Sequence, residues 1–403
     1  MGFSAFNDNF YKNALVILIT YVLANSLSMS AEILISLAAA CFIVPYFLFS
    51  GVAGMLADKF AKHRLARWLK LTELLLVLTA SVALLSHDAA FMLFILFLLG
   101  TQSTFFSPVK YAVLPELLEK HELLRGNGMI EAGTFISILL GTSLGGLLIL
   151  QPNGVYAVSA IMIASSFIGI WAAWRMPPTE AAVPGLRIPY NPFAGIASLV
   201  RAVASHRVIL LPIIGISWFW AIGATYLIQI PVLTKEVIGG NEQVVTWFMA
   251  LFSIGIAVGS LLCPWVTRKV RLYHSAPLSL LGMTLFGVDI VWLAHLTTPA
   301  EPLMGLDDYL QSIGHWRFTA DLFGMAMCGG VFVIPLYTRL QTGSGTTQRA
   351  RAIAGNNVMN ALFMAVAAVA AALMYALGWQ VREVLLTFAL LNLPVVALLW
   401  RRR

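Results

Sequence analysis

The stretch AEILISLAAACFIVPYFLFSGVAGMLADKFAKHRL, Ala31 to Leu65, joins an apolar run to a glycine, an aspartate and then a basic loop. From Ile33 to Ala57 it carries no charge, and a helix of ~20 such residues covers the ~30 Å hydrocarbon core of a bilayer. It reads as a membrane span that ends in a charged loop. Outward from it, the same pattern recurs near 3–24, 68–86, 89–118, 126–150 and 154–175, then at 207–234, 243–266, 274–295, 316–341, 351–377 and 381–400. Together with 31–56 these make twelve spans, so the expected fold is an all-α polytopic membrane protein.

Composition agrees. The chain is 60% hydrophobic and 11% charged, with 24 Phe and 11 Trp in 403 residues, more than any water-soluble core of this size requires. The net charge of +7 belongs to the membrane and not to nucleic acid, because the positive residues alternate between gaps and do not share one face. Most of the 25 lysines and arginines follow even-numbered spans: Lys59, Lys62, Arg64, Arg67 and Lys70; Lys120 and Arg125; Arg268, Lys269 and Arg271; Arg339, Arg349 and Arg351; and the tail Arg401 to Arg403. The positive-inside rule then puts both termini in the cytoplasm. The N-terminus lacks a basic leader before a clean apolar core, so no cleavable signal peptide is expected. Cys41, Cys263 and Cys328 lie far apart within spans, and neither a disulfide, a metal nor a cofactor is expected.

The gap from Met176 to His206 is long, holds five prolines and ends in an amphipathic stretch at Phe193–Ala204. It divides the chain into a six-span bundle (1–175), a cytoplasmic linker with a surface helix (176–206) and a second six-span bundle (207–403). The halves resemble each other. Gly54 to Asp58 lines up with Gly259 to Cys263, Pro108 with Pro335, and Arg125-Gly-Asn-Gly-Met-Ile-Glu131 with Ala354-Gly-Asn-Asn-Val-Met-Asn360. Parallel six-helix repeats are the plan of the major facilitator fold.

Several polar residues stand inside apolar runs, where an ionisable group costs ~2.5–3.5 kcal/mol on insertion scales and so faces a partner or a wet cavity. Asp8 and Lys12, with Asn9 between them, are one turn apart, so the alternative to substrate contact is a self-neutralising pair. Lys110 and Tyr111 follow Pro108; there the alternative is snorkelling to the cytoplasmic surface. Asn127 and Glu131 form a stripe in the fifth span answered by Asn356 and Asn360 in the eleventh, for which interhelical glue is the competing role. Asp289 and Asp321 are candidate proton carriers, with an Asp321–Arg317 pair as the alternative. The aromatic run Ser217-Trp-Phe-Trp220 reads as packing. Nothing resembles a catalytic triad, phosphate loop or dinucleotide fingerprint, so the chain is not read as an enzyme.

The loop Gly54 to Leu65 resembles the loop signature of the major facilitator superfamily. That resemblance implies a gate in which Gly54 allows close helix approach while Asp58 accepts from helix N-termini and pairs with Arg64. More selectively, Phe6-Asn-Asp-Asn9 with Lys12-Asn13, Ser107-Pro-Val-Lys-Tyr111 with Leu114-Pro-Glu116, Asn127 to Ala132 and Arg349 to Asn357 resemble the bacterial lysophospholipid transporters of the LplT type, including the modules fused to acyltransferases. The resemblance implies movement of lysophosphatidylethanolamine or lysophosphatidylglycerol from the outer to the inner leaflet by alternating access. It also implies head-group contacts at Asp8, Asn9, Lys12, Lys110, Tyr111, Asn127, Glu131, Asn356 and Asn360, a monomer in the lipid bilayer, and a separate cytoplasmic acyltransferase as partner. A proton-coupled drug or small-metabolite antiporter of the same fold is the rival reading. In a third reading the chain is a non-transporting membrane anchor, which the embedded charges disfavour.

Overall fold

The computed structural model describes residues 2–23, 31–188, Leu199, Val203, 207–270 and 272–401. Its twelve long helices are α1 (Gly2–Leu18, continued by a π-turn, Ile19–Leu23), α2 (Ala31–Lys59), α3 (Lys62–Ser86), α4 (Ala89–Ala112), α5 (Leu123–Ile149) and α6 (Gly154–Trp174) in the first half. In the second half they are α7 (Arg207–Leu233, with a π-turn, Thr234–Ile238), α8 (Glu242–Lys269), α9 (Leu272–Leu296), α10 (Trp316–Gly343), α11 (Arg349–Ala376) and α12, in two segments, Val381–Leu390 and Asn392–Arg401. Eleven of the described helices are long and apolar enough to cross a membrane. Phe193–Ala204, expected as a surface helix, lies outside the described residues except for Leu199 and Val203.

The helix ends follow local chemistry. Asp88 caps α4 by accepting from Ala90 N (2.9 Å) and Phe91 N (3.1 Å), and Asn241 caps α8 through Gln243 N (3.0 Å). The fourth span, expected to run unbroken from 89 to 118, stops at Ala112 and resumes as one turn at Leu114–Leu117 with Pro115 at its start. Pro115 has no amide hydrogen to give the carbonyl of Tyr111 four residues back, and its ring clashes there. The twelfth span is interrupted at Leu391, three residues before Pro394, for a related reason: the proline ring clashes with the carbonyl four residues back.

Two compact units divide the helices, and neither is a simple half of the sequence. The first comprises Met1–Lys120, Ser137–Leu210 and Leu340–Val358, so it takes the beginning of α11. Its core joins α1, α3, α4 and α6 through Phe10, Tyr11, Leu15, Val77, Met92 and Met162. The second comprises His121–Ile136, Leu211–Arg339 and Met359–Arg403, so it takes the beginning of α5. In both units large apolar side chains such as Trp68, Leu75, Trp171, Leu285 and Trp292 stand exposed, as expected of helices whose solvent is lipid.

Candidate substrate and gating residues

In the first unit α1 turns a row of short polar side chains inward. Ser4 donates to Glu73 Oε2 (2.8 Å), and Asn7 Nδ2 donates to Glu73 Oε1 (3.1 Å) and Ser166 Oγ (3.0 Å). Lys70 Nζ donates to Ser4 Oγ (2.5 Å), pairs with Glu73 at 2.7 Å and lies 4.8 Å from the Phe106 ring centroid. Ser165 donates to Asn7 Oδ1. Both charges are buried, and removing an ion pair from water is tolerated only when further hydrogen bonds satisfy it. Here serine, asparagine and the ring face do so, and they tie α1, α3, α4 and α6 together.

Next along α1, Asp8 is buried and accepts from Ser103 of α4. Lys12 stands 5.5 Å from the Phe42 ring centroid, and among the described residues no ion pair joins it to Asp8. The self-neutralising pair is therefore not formed, because one helix turn leaves each side chain to a different neighbouring helix. Asn9 donates back to Ala5 O (2.8 Å). Towards the end of α4, Lys110 Nζ lies 4.5 Å from the Tyr111 ring centroid, Gln341 Nε2 donates to Tyr111 O (3.0 Å), and Asn357 Nδ2 donates to Ser107 Oγ (2.8 Å). Asn356 is fully buried, and its amide has no hydrogen-bond partner among the described residues. Such an orphan typically costs ~1–3 kcal/mol.

The end of α2 meets the start of α11. Asp58 is 0% exposed; its Oδ1 accepts from Ala350 N (3.1 Å) and its Oδ2 from Arg351 Nε (2.9 Å). The carboxylate thus caps the positive end of α11 and pairs with its first-turn arginine at once. Arg351 is held in turn by Thr347 O (2.7 Å), and Val183 N donates to Asp58 O (2.8 Å). Gly54 makes the contact possible: a Cβ there would lie 2.8 Å from Ala354 Cβ and 2.9 Å from Arg351 Cα. The partner expected from sequence, Arg64, is not the partner found. Arg64 sits on the exposed side of the first turn of α3, whereas Arg351 reaches Asp58 from the other end of the sequence.

In the second unit Asn127 Nδ2 donates to Thr338 Oγ1 (3.1 Å), Ser217 donates to Asn360 Oδ1 (2.9 Å), and Glu131 is fully buried. Phe135 stacks on Trp220 at 5.8 Å and meets Phe219 edge-on at 6.1 Å; Trp218 Nε1 donates to Asn392 Oδ1 (2.8 Å) and Trp220 Nε1 to Tyr337 Oη (3.2 Å). The aromatic run is therefore packing with polar anchors. Arg317 grips Asp289 through two bonds, 2.9 and 2.5 Å, where an Arg317–Asp321 pair was the expectation, and Asp321 Oδ2 has no hydrogen-bond partner among the described residues.

Of the nine residues singled out for substrate, Asp8, Asn9, Lys12, Lys110, Tyr111 and Asn356 belong to the first unit and Asn127, Glu131 and Asn360 to the second. The Lys70–Glu73 pair was missed. Lys70 had been counted with the basic loop, and the signal that distinguishes it is Glu73, a carboxylate three residues on inside an apolar run.

The family model described as Major Facilitator Superfamily matches residues 1–306. A lysophospholipid transporter of Pectobacterium carotovorum subsp. carotovorum (strain PC1) is 26% identical over 325 residues, covering 79% of this chain and 72% of that protein. One from Escherichia coli O7:K1 is 28% identical over 375 residues, covering 90% and 85%. Among solved structures, the proton:xylose symporter XylE superposes with a TM-score of 0.72 at 11% identity, covering 99% of this chain and 94% of that one. A bacterial homologue of the iron transporter ferroportin in its outward-facing state gives 0.69 at 13%, covering 99% of each. Twelve apolar helices, the Gly54–Asp58 loop and these likenesses agree, and the chain belongs to the Major Facilitator Superfamily.

Proposed function

We propose that this protein carries lysophospholipids, such as lysophosphatidylethanolamine or lysophosphatidylglycerol, from the outer to the inner leaflet of the bacterial inner membrane by alternating access. The observation that carries this reading is the alignment with lysophospholipid transporters over as much as 90% of the chain. The geometry supports it. In the first unit cationic groups stand beside ring faces, as an amphiphile with one charged end requires: Lys12 against Phe42 and Lys110 against Tyr111. Lys12 and Lys110 are assigned to the phosphate and Asp8 to an ethanolamine ammonium, with Asn9, Tyr111 and Asn356 supporting. In the second unit Asn127, Glu131 and Asn360 are assigned to the substrate. Gly54, Asp58 and Arg351 form the gate; Arg64 belongs to the basic loop beside it. The proposal includes two six-helix bundles, 1–175 and 207–403, joined by a cytoplasmic linker, both termini in the cytoplasm, a monomeric state, and hand-over of the product to a separate acyltransferase.

The test is reconstitution in liposomes with labelled lysophospholipid in one leaflet, with and without ion gradients. Asp8→Ala and Lys110→Ala should each abolish uptake while leaving the protein in the membrane. Wild-type binding by both would remove these residues from the site.

A second reading, proton-coupled antiport of a small solute, is favoured by one observation. Asp321 is a buried carboxyl of α10 whose Oδ2 has no hydrogen-bond partner among the described residues, while Arg317 is held by Asp289. On that reading Asp321→Asn makes transport independent of an imposed proton gradient, and a water-soluble solute outcompetes the lysophospholipid.

A further inference from the structure

We infer that the cleft between α7 and α11 in the second unit is a lateral subsite for a single acyl chain, an inference that rests on the lysophospholipid reading. The cleft holds a cavity of about 200 Å³. Its walls are Ala224 and Ile228 of α7 and Ala368, Ala371 and Ala372 of α11, and no ionisable carboxylate or amine lines it. An apolar cavity of ~150 Å³ stays dry and takes up hydrocarbon, so this one has no use for water along its walls. Ile228, which lines it, is 60% exposed, and Val369 and Leu373 flank it on the exposed surface, so the mouth opens on the side that faces lipid.

One end is different. Gln229, only 3% exposed, accepts a hydrogen bond from the Tyr375 hydroxyl, and Thr225 stands one turn before it. Both helices run the same way; Tyr375 falls one residue before the end of α11 at Ala376, and Gln229 stands four residues before α7 passes into its π-turn, Thr234–Ile238. At ~1.5 Å per residue Tyr375 is within about 2 Å of the end of α11, the depth at which a bilayer changes from hydrocarbon to ester and where tyrosine concentrates. On the positive-inside orientation these are the outer ends. An uncharged donor and acceptor at ester depth above an apolar wall match a glycerol ester with one chain below it, entering from the outer leaflet.

The corresponding pair in the first unit leaves no room for such a chain. There Gly141 and Gly145 of α5 let α1 approach until an added Cβ would lie 2.6 Å from Phe6 O and 2.5 Å from Phe10 O. The repeat that aligns Asn127 with Asn356 puts Ala370 and Met374 at those positions of α11. Those positions carry side chains in α11 where α5 has none.

The test uses the full-length protein in phosphatidylcholine vesicles with two photoreactive probes, a lysophosphatidylethanolamine and a diacyl phosphatidylethanolamine, each with a diazirine in the acyl chain. The lyso probe should label α7 and α11 peptides, and unlabelled lysophospholipid should compete it away. Ala371→Cys blocked with an alkyl methanethiosulfonate should lose about tenfold of that label and recover it on reduction, with treated wild type as control. Recovery on reduction separates a blocked cleft from a misfolded protein. Label elsewhere, label indifferent to the block, or equal labelling by the diacyl probe overturns the inference. Uptake that persists in the blocked protein sinks the subsite but leaves the transport reading; labelling of the cleft with no uptake by any variant does the reverse.

Discussion

The end of α2 and the end of α8 are the same device built twice, with one part missing from the second copy. In the first unit Gly54 lets the beginning of α11 lie against α2, and Asp58 then takes both the Ala350 amide and the Arg351 guanidinium. In the second unit the beginning of α5 lies against α8 just as tightly, since a Cβ on Gly128 would sit 2.5 Å from Ser260 O. Cys263 occupies the place of Asp58, and its thiol has only a 3.8 Å contact with Val331 O. The register that aligns Asn127 with Asn356 puts Glu122 opposite Arg351. Close approach is shared by the two copies, whereas the ionic clasp belongs to one. The asymmetry gives the first unit a charged contact and the second a purely steric one, and each can be broken separately.

The largest effect is expected at the charged side. Asp58→Ala leaves Arg351 half-buried without its carboxylate and α11 without its cap, a loss of about 3 kcal/mol for a broken buried pair. Melting of the purified protein in detergent should fall accordingly, and cysteine accessibility on the two faces of the membrane should shift. An unchanged accessibility pattern rejects the gate. A comparable loss is expected from Cys263→Asp, which buries a carboxylate with no guanidinium opposite; adding Glu122→Arg should recover part of it. If the single change is neutral, the second copy already holds a cation partner and the asymmetry drawn here is wrong.

Steric variants come next. Gly54→Leu and Gly128→Leu should each cost about 1–3 kcal/mol by overpacking, and by similar amounts, because both glycines face backbone. A large difference in melting temperature between them would show that the two approaches are not equivalent. Least of all, Cys263→Ala should change stability by under about 1 kcal/mol and leave transport intact, since it removes one weak sulfur contact. A marked loss of uptake would give the cysteine a role that its surroundings do not suggest.

Much of this architecture was legible before any coordinates. Twelve apolar runs must become helices because nothing else satisfies the backbone in lipid, and alternating basic gaps order them. The internal breaks were less legible. Pro115 and Pro394 sit near ends of spans, where hydropathy alone gives no reason to divide the helix. The clasp was half legible. Gly54 and Asp58 stood out in the loop, but the nearest arginine in sequence, Arg64, was the wrong partner, because a lock between helices recruits a side chain 293 residues away, which no local pattern can indicate. Lys70 was hidden among basic-loop neighbours whose positive charges have a sufficient explanation in topology. Asp8 carried a correct burial signal and, with Lys12, a misleading pairing signal, since a one-turn spacing permits contact but cannot say which neighbour is nearer.

The Lys70–Glu73 pair has a consequence for how the chain is made. Both residues lie on α3, three apart, so they meet as soon as that helix forms and before α1, α4 or α6 has arrived to supply hydrogen bonds. A nascent α3 therefore enters the translocon with its embedded charge already cancelled. Without Glu73, Lys70 would join the four positive residues just before it and draw the first turns of α3 back towards the cytoplasm. The carboxylate that completes a buried network in the finished protein thus also sets where the third crossing begins.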